Sequence, residues 1–128
     1  SILEGVAFSL KDSINILRKN KIFINNGRII GGGAKSKLWS QIVSDVLNIE
    51  LDKNRYSDSA FGAAMIAGIG TGFFKNISDA IRRCVKVDSR IYPNNDNVNK
   101  YEELFVIYQN TTKRLRNINH QLYEFNSN

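Results

Sequence analysis

The stretch that most constrains the fold is Arg28-Ile29-Ile30-Gly31-Gly32-Gly33-Ala34-Lys35-Ser36. It reads as a short buried strand that runs into three consecutive glycines and then, through Ser36, into an amphipathic helix. Three residues without Cβ let the backbone take positive φ and let a flat ligand approach the main chain closely. Ser36 is a good N-cap, and the helix behind it aims unpaired N–H groups and the positive end of its dipole at the same turn. Strand, glycine turn and helix N-terminus together make a ready site for the phosphate or ribose side of a nucleotide. The same turn, taken alone, also serves as a plain strand-to-helix connection.

A chain of 128 residues has the size of one domain, and 42% hydrophobic with 23% charged residues is the composition of a soluble globular protein. No apolar run reaches the roughly 20 residues of a membrane helix, and the N-terminus lacks the basic region and apolar core of a signal peptide. A cytoplasmic location is expected. Cys84 is the one cysteine and cannot form an internal disulfide. With Arg82 and Arg83 before it and no histidine nearby, it reads as an ordinary small residue and not as a nucleophile. His120 is the one histidine, so histidine metal sites and Ser/His/Asp triads need a second chain. The net charge of +6 would suit a nucleic-acid partner. The basic residues are scattered, however, with no aromatics interleaved for base stacking, and they read as a solvated face.

Leu3, Val6, Ala7, Leu10, Ile14 and Leu17 recur at three- and four-residue intervals and predict a helix that ends near Asn20. Its start, without a cap or an initiator methionine, predicts a domain cut from a longer chain. After the turn signal Asn25-Asn26-Gly27, the strand over residues 28–31 has consecutive isoleucines that suit a strand covered on both faces. The helix after Ser36 carries Trp39, Ile42, Val43, Val46 and Leu47 on its apolar face, which makes Trp39 a core residue more than a base stacker. A second short strand is expected over 49–51, then a polar loop, then a helix over 59–69 capped by Asp58 or Ser59. Ala60, Gly62, Ala63, Ala64, Ala67 and Gly68 make that helix small-sided almost all round. Each glycine gives up about 1 kcal/mol of propensity, so close packing against the strands is expected, with Gly62 a packing residue first and a ligand contact second. A short helix over 76–84 capped by Asn76 or Ser78, an extended stretch through Val85, Val87 and Ile91, and a long helix over 98–122 complete the chain. Residues 123–128 are expected to fray.

Taken in order, Leu3-Glu4-Gly5-Val6-Ala7-Phe8-Ser9-Leu10, the glycine turn through Leu38-Trp39, Ser44-Asp45-Val46-Leu47 and Phe61-Gly62-Ala63-Ala64 resemble the C-terminal domain of FGGY-family carbohydrate kinases, xylulose kinases above all. The resemblance covers residue 2 to about residue 110. It implies an α/β fold: part of an actin-like ATPase (ribonuclease-H-like) domain, with the last two strands of its sheet surrounded mostly by helices. Residues 1–128 would then be the C-terminal part of that kinase domain. In the relatives the glycine turn is the adenosine-binding motif, which assigns Gly31, Gly32, Gly33, Ala34, Ser36 and Lys37 to ATP. Lys37 departs from the family pattern: several relatives have an asparagine shortly after the turn, and xylulose kinases often have proline after the capping serine. Main-chain contacts from Gly32, Gly33 and Ala34 survive that change.

A sugar kinase must also align a sugar hydroxyl with the γ-phosphate, supply a general base and hold Mg²⁺. In the family those groups precede the matching segment, so no catalytic and no metal-ligating residue is assigned here. Asp45 reads as a surface carboxylate or one behind the site, and Asp58 as a lone carboxylate bordering it. The implied reaction moves the γ-phosphate of ATP to a sugar hydroxyl, D-xylulose giving D-xylulose 5-phosphate, with gluconate, ribulose or glycerol as alternatives in the family. Mg²⁺ and the sugar would be held mainly by the upstream part, and the fragment alone is expected to be inactive. The alternative from another class is a non-catalytic binding module, using the basic face for nucleic acid or an apolar face for a partner chain. With the remaining strands absent, the strand at 28–31 keeps an unpaired edge and the first and third helices lose cover, which predicts a homodimer.

Overall fold

The computed structural model describes residues 1–56 and 59–126. It places, in order, α1 (Ile2–Lys19), β1 (Asn26–Ile29), a 3₁₀ turn (Gly32–Lys35), α2 (Lys37–Leu47), β2 (Glu50–Asn54), α3 (Ser59–Gly70), α4 (Ile77–Cys84), β3 (Val87–Ile91) and α5 (Asn95–Asn126). β1 and β2 are parallel, with Ile29 opposite Lys53 as the last pair. β3 runs antiparallel along the other side of β2, pairing Leu51 with Ile91 and Lys53 with Ser89.

The parallel pair thus gains a third strand, because the extended stretch at Val87–Ile91 is long enough to complete a ladder with β2. β1 also lies earlier than the isoleucine pair predicts. Its ladder ends at Ile29, and Ile30, with no partner residue beyond it, is 61% exposed. As an edge strand with one neighbour, β1 alternates exposed and half-buried residues, so its isoleucines do not mark a strand covered on both faces.

α2 is the centre of the core. Its Ile42, Val43, Val46 and Leu47 form one buried cluster with Ile49 and Leu51 of the β2 segment, Ala7 and Phe8 of α1, and Phe105 of α5. Phe8 is ringed by Tyr101, Phe105 and Tyr108, at centroid distances of 6.0, 5.7 and 5.3 Å. Such pairs add about 0.5–1.5 kcal/mol each beyond the area they bury. Lys11 is buried beside them, its Nζ donating to Glu102 at 2.7 Å and lying 4.9 Å from the Phe105 ring centre. α1 is capped after all: the Ser1 hydroxyl accepts from the Glu4 N–H, and the Glu4 carboxylate reaches back to the Ser1 nitrogen.

Asp45 is no surface carboxylate. At 2% exposure its Oδ1 accepts from Gln41 Nε2 and from the Asn94 N–H, both at 2.8 Å, and its Oδ2 accepts from Asn97 Nδ2 at 2.9 Å. These bonds fasten the start of α5 to the last turn of α2. Asn94 adds its own, accepting the Asp96 N–H on its side chain and the Val98 N–H on its carbonyl, each at 2.9 Å. α5 therefore begins at Asn95, ahead of Val98, and it continues to Asn126.

α3 differs most from expectation. None of its residues is buried, and its main neighbour among the described elements is α4. A Cβ on Gly62 would meet nothing within 4 Å, whereas one on Gly68 would stand 2.6 Å from the Phe74 ring. Gly68, not Gly62, is therefore the packing glycine: it admits Phe74, while the rest of α3 buries none of its residues among the described elements. Asp58, one of the caps suggested for α3, lies outside the described residues. α4 is capped by Asn76, which accepts the Asp79 N–H at 2.9 Å. Asp79 accepts in turn from Arg82 at 2.7 Å and from the Lys75 N–H at 3.3 Å, and these bonds, Arg82 first, hold its carboxyl below the usual range. A lowered carboxyl contributes stability above its ordinary pKa and loses it as pH falls through the lowered value. Exchange protection in α4 is accordingly expected to fall on the acid side of the usual aspartate range, and Asp79→Asn to flatten that pH dependence.

Candidate functional site

After Ile29 the chain passes Gly31, whose φ of 80° and ψ of −169° L side chains rarely adopt. Of the three glycines it alone needs a left-handed backbone. Gly32–Lys35 then wind as a 3₁₀ turn, with the Ala34 N–H on the Gly31 carbonyl at 3.2 Å and the Ser36 N–H on the Gly33 carbonyl at 3.0 Å. Ser36 caps α2 as its position suggests: its hydroxyl accepts the Trp39 N–H at 3.2 Å, and its carbonyl accepts from the Ser40 N–H at 3.1 Å and the Ser40 hydroxyl at 2.9 Å. Gly31, Gly32, Gly33, Ser36 and Lys37 all reach solvent, while Ala34, at 3% exposure, plugs the turn into the body.

The glycines have separate duties. A Cβ on Gly33 would sit 3.0 Å from Trp39 Cδ1 and Nε1, so Gly33 leaves room for the indole, which packs against the core cluster. A Cβ on Gly32 would meet nothing within 4 Å. Gly32 is the position whose bareness serves no contact inside the chain.

Beside the turn lies a pocket of about 250 Å³ lined by Ala34, Lys37, Ser40, Gln41, Lys53, Ser89 and Ile91. Ala34 and Lys37 belong to the motif legible in the sequence; Lys53, Ser89 and Gln41 do not. β2–β3 pairing brings Lys53 opposite Ser89, and alternation along β2 puts Lys53 on the face of Leu51, the face under α2. That alternation is the signal by which Lys53 could have been found. Gln41 is held in place by bonds from Nε2 to Asp45 and to the Tyr92 carbonyl at 2.9 Å. A wider hollow of about 650 Å³ between α1 and α5, lined by Asp12, Arg18, Lys19 and Gln109 among others, shares no residue with the turn.

Among the described residues no group of three or more His, Cys, Asp or Glu could hold a metal ion. Two carboxylates near the site among the described residues are already committed. Asp45 has its three donors, and Asp52 lies between Arg90, at 3.1 Å, and Arg28, at 3.9 Å.

Over residues 1–71 of 128 the chain matches the FGGY family of carbohydrate kinases, C-terminal domain. The chain belongs to this family. Among FGGY relatives it is 34% identical to a xylulose kinase of Staphylococcus epidermidis over 119 residues, 92% of this chain and 24% of that protein. It is 33% identical to a xylulose kinase of Bacillus subtilis over 129 residues, 100% of this chain and 26% of that protein. The crystal structure of a ligand-bound xylulose kinase from Lactobacillus acidophilus matches it with a TM-score of 0.77 at 25% identity, over 90% of this chain and 24% of that one. The chain therefore spans about a quarter of the length of the FGGY relatives it matches, and it carries part of their actin-like ATPase fold. Among the described residues no helix is long and apolar enough to cross a membrane.

Proposed function

We propose that this chain is the ATP-binding part of a cytoplasmic FGGY kinase that transfers the γ-phosphate of ATP to a sugar hydroxyl, D-xylulose first among the sugars. One observation carries the reading: an exposed run of main chain at residues 31–33, entered through a positive φ at Gly31 and ending on the capped N-terminus of α2. It lies past the carboxyl end of a parallel strand, where open α/β sheets take their ligands. Adenosine rests against the main chain of Gly31, Gly32 and Gly33, with Ala34 fixing the turn from behind and Ser36 and Lys37 at its edge. ATP brings the phosphoryl group. The carboxylates among the described residues offer no Mg²⁺ site, and the metal, the general base and the sugar contacts are assigned to the upstream part of the kinase.

Gly32→Val tests the reading, because a Cβ at this position meets nothing within 4 Å among the described residues and the branched side chain projects where a ligand would lie. In a kinase containing this chain it should raise the ATP KM about tenfold or more, about 1.4 kcal/mol, and leave the sugar KM in place. An unchanged ATP KM makes the turn structural only. Gly33→Val reads less cleanly, since it also presses on Trp39. The 128-residue chain alone should give no turnover of D-xylulose with ATP, and measurable turnover would return the base to this part.

The reading also accounts for the open surface of α3 and the edge of β1, where the rest of the kinase would pack. Alone, the chain covers that surface with a second copy, since unpaired strand edges and broad apolar patches are rarely left in water. Sedimentation equilibrium at micromolar concentration should show twice the 14.5 kDa chain mass, and a clean 14.5 kDa species would remove the dimer.

A further inference from the structure

Asn26-Gly27 is a turn signal by composition, yet both residues lie in β1, with Asn26 as its first residue. Gly27 has a packing reason to be there: a Cβ would stand 3.2 Å from Leu51 Cδ2 and 3.3 Å from Ile49 Cδ1, two residues of the core cluster. Asn26 has no such reason. It alternates to the opposite face, is exposed, and among the described residues its side chain has no hydrogen-bond partner. Of the chain's asparagines it alone precedes a glycine. That glycine matters chemically, since without a Cβ its main-chain nitrogen can swing within bonding reach of the asparagine Cγ.

In an extended strand the Gly27 nitrogen lies away from Cγ, so ring closure needs Asn26 to turn out of the ladder. The hold on it is slight. Residues 22–25 ahead of it have no regular structure, Asn26 with Glu50 is the end pair of the β1–β2 ladder, and β1 has a neighbour on one side only. Such ends open at the low end of the range of local stabilities.

We propose that Asn26 deamidates spontaneously in the folded chain and that the change loosens β1. The Gly27 nitrogen bonds to Asn26 Cγ, the Cγ–Nδ2 bond breaks, and Nδ2 leaves as ammonia with the proton that the glycine nitrogen gives up. Water then opens the cyclic imide. Opening at Cγ leaves aspartate; opening at the main-chain carbonyl leaves isoaspartate, whose backbone runs through the side chain and carries an extra methylene. Either product bears a carboxylate that is ionised at neutral pH. Across the ladder stands Glu50, so the new charge faces a like charge, and Arg28 and Arg90, the cations of that sheet face, already serve Asp52 and Glu50. The extra methylene also displaces Gly27, Arg28 and Ile29 against Leu51, Asp52 and Lys53, and β1 leads directly into the glycine turn.

The test is incubation of the 128-residue chain for days in mildly alkaline buffer, then proteolysis and mass spectrometry, with isoaspartate read by an isoaspartyl methyltransferase. The peptide that holds Asn26 should gain the mass difference between amide and acid before any other asparagine peptide, and should split into aspartate and isoaspartate forms with isoaspartate in excess. Asn26→Gln, whose longer side chain closes the ring poorly, should give no product there and melt with the parent. In the aged chain the amides of residues 27–29 and 31–34 should exchange faster than in fresh chain, with α2 unchanged. Asn26→Asp supplies the charge without the methylene and should show the smaller loss of protection. Conversion of another asparagine first, or none at Asn26 in folded chain under conditions that convert it in urea, overturns the site. Unchanged exchange across β1 in fully converted chain overturns the loosening.

Discussion

Phe8→Ala is expected to destabilise the chain by about 3–5 kcal/mol, the cost of emptying a buried aromatic site. Phe8 is 6% exposed, and its ring meets three others, all on α5. Truncation removes the contact through which α1 and α5 share one core. Small domains hold about 5–15 kcal/mol in all, so the variant should lose a large part of its stability. Urea unfolding reads this as a fall in midpoint at constant slope. Ile16→Ala, on the same helix but 60% exposed, is the control and should move the midpoint little. Equal effects from the two would mean that α1 does not pack as described.

Asp45→Ala is the second large loss. Three donors converge on this carboxylate from Gln41, Asn94 and Asn97. Hydrogen bonds to a charged group contribute about 1.5–3 kcal/mol each, and a donor left without an acceptor costs about 1–3 kcal/mol. The donors at Asn94 and Asn97 can turn partly to water, so the net loss should be about 3–4 kcal/mol, not the full sum. For a chain of this size that lowers Tm by roughly 10–20 °C. Amide exchange should show the loss first in the opening turn of α5. A variant that melts within a degree or two of the parent would show that the network holds little.

What could be read in advance was local. Ser36 and Asn76 cap the helices that their positions announce, the three- and four-residue spacing from Leu3 to Leu17 marks α1, and Trp39 joins the core from the apolar stripe of α2. The Ser-x-x-Glu at residues 1–4 is an equally local signal, the pattern of a capping box. What stayed hidden depends on partners far along the chain. Nothing near Asp45 shows that Asn94 and Asn97 will close over it, and β3 becomes a strand through the register it finds on β2. Lys53 becomes part of a pocket only once Ser89 stands opposite. α3 misled for another reason. Its small residues suit close neighbours, yet among the described residues none of the helix is buried.

The bonds at Asp45 make α2 and α5 one rigid piece. The same helix that begins at Lys37 beside the glycine turn grips the root of α5 in its last turn. α5 has 32 residues and so runs about 48 Å from that grip to its far end. It works like the needle of a gauge: a tilt of a few degrees at the glycine turn, too small to notice there, sweeps Phe125 through ångströms. A label near Phe125 would feel a guest arrive at the other end of the molecule.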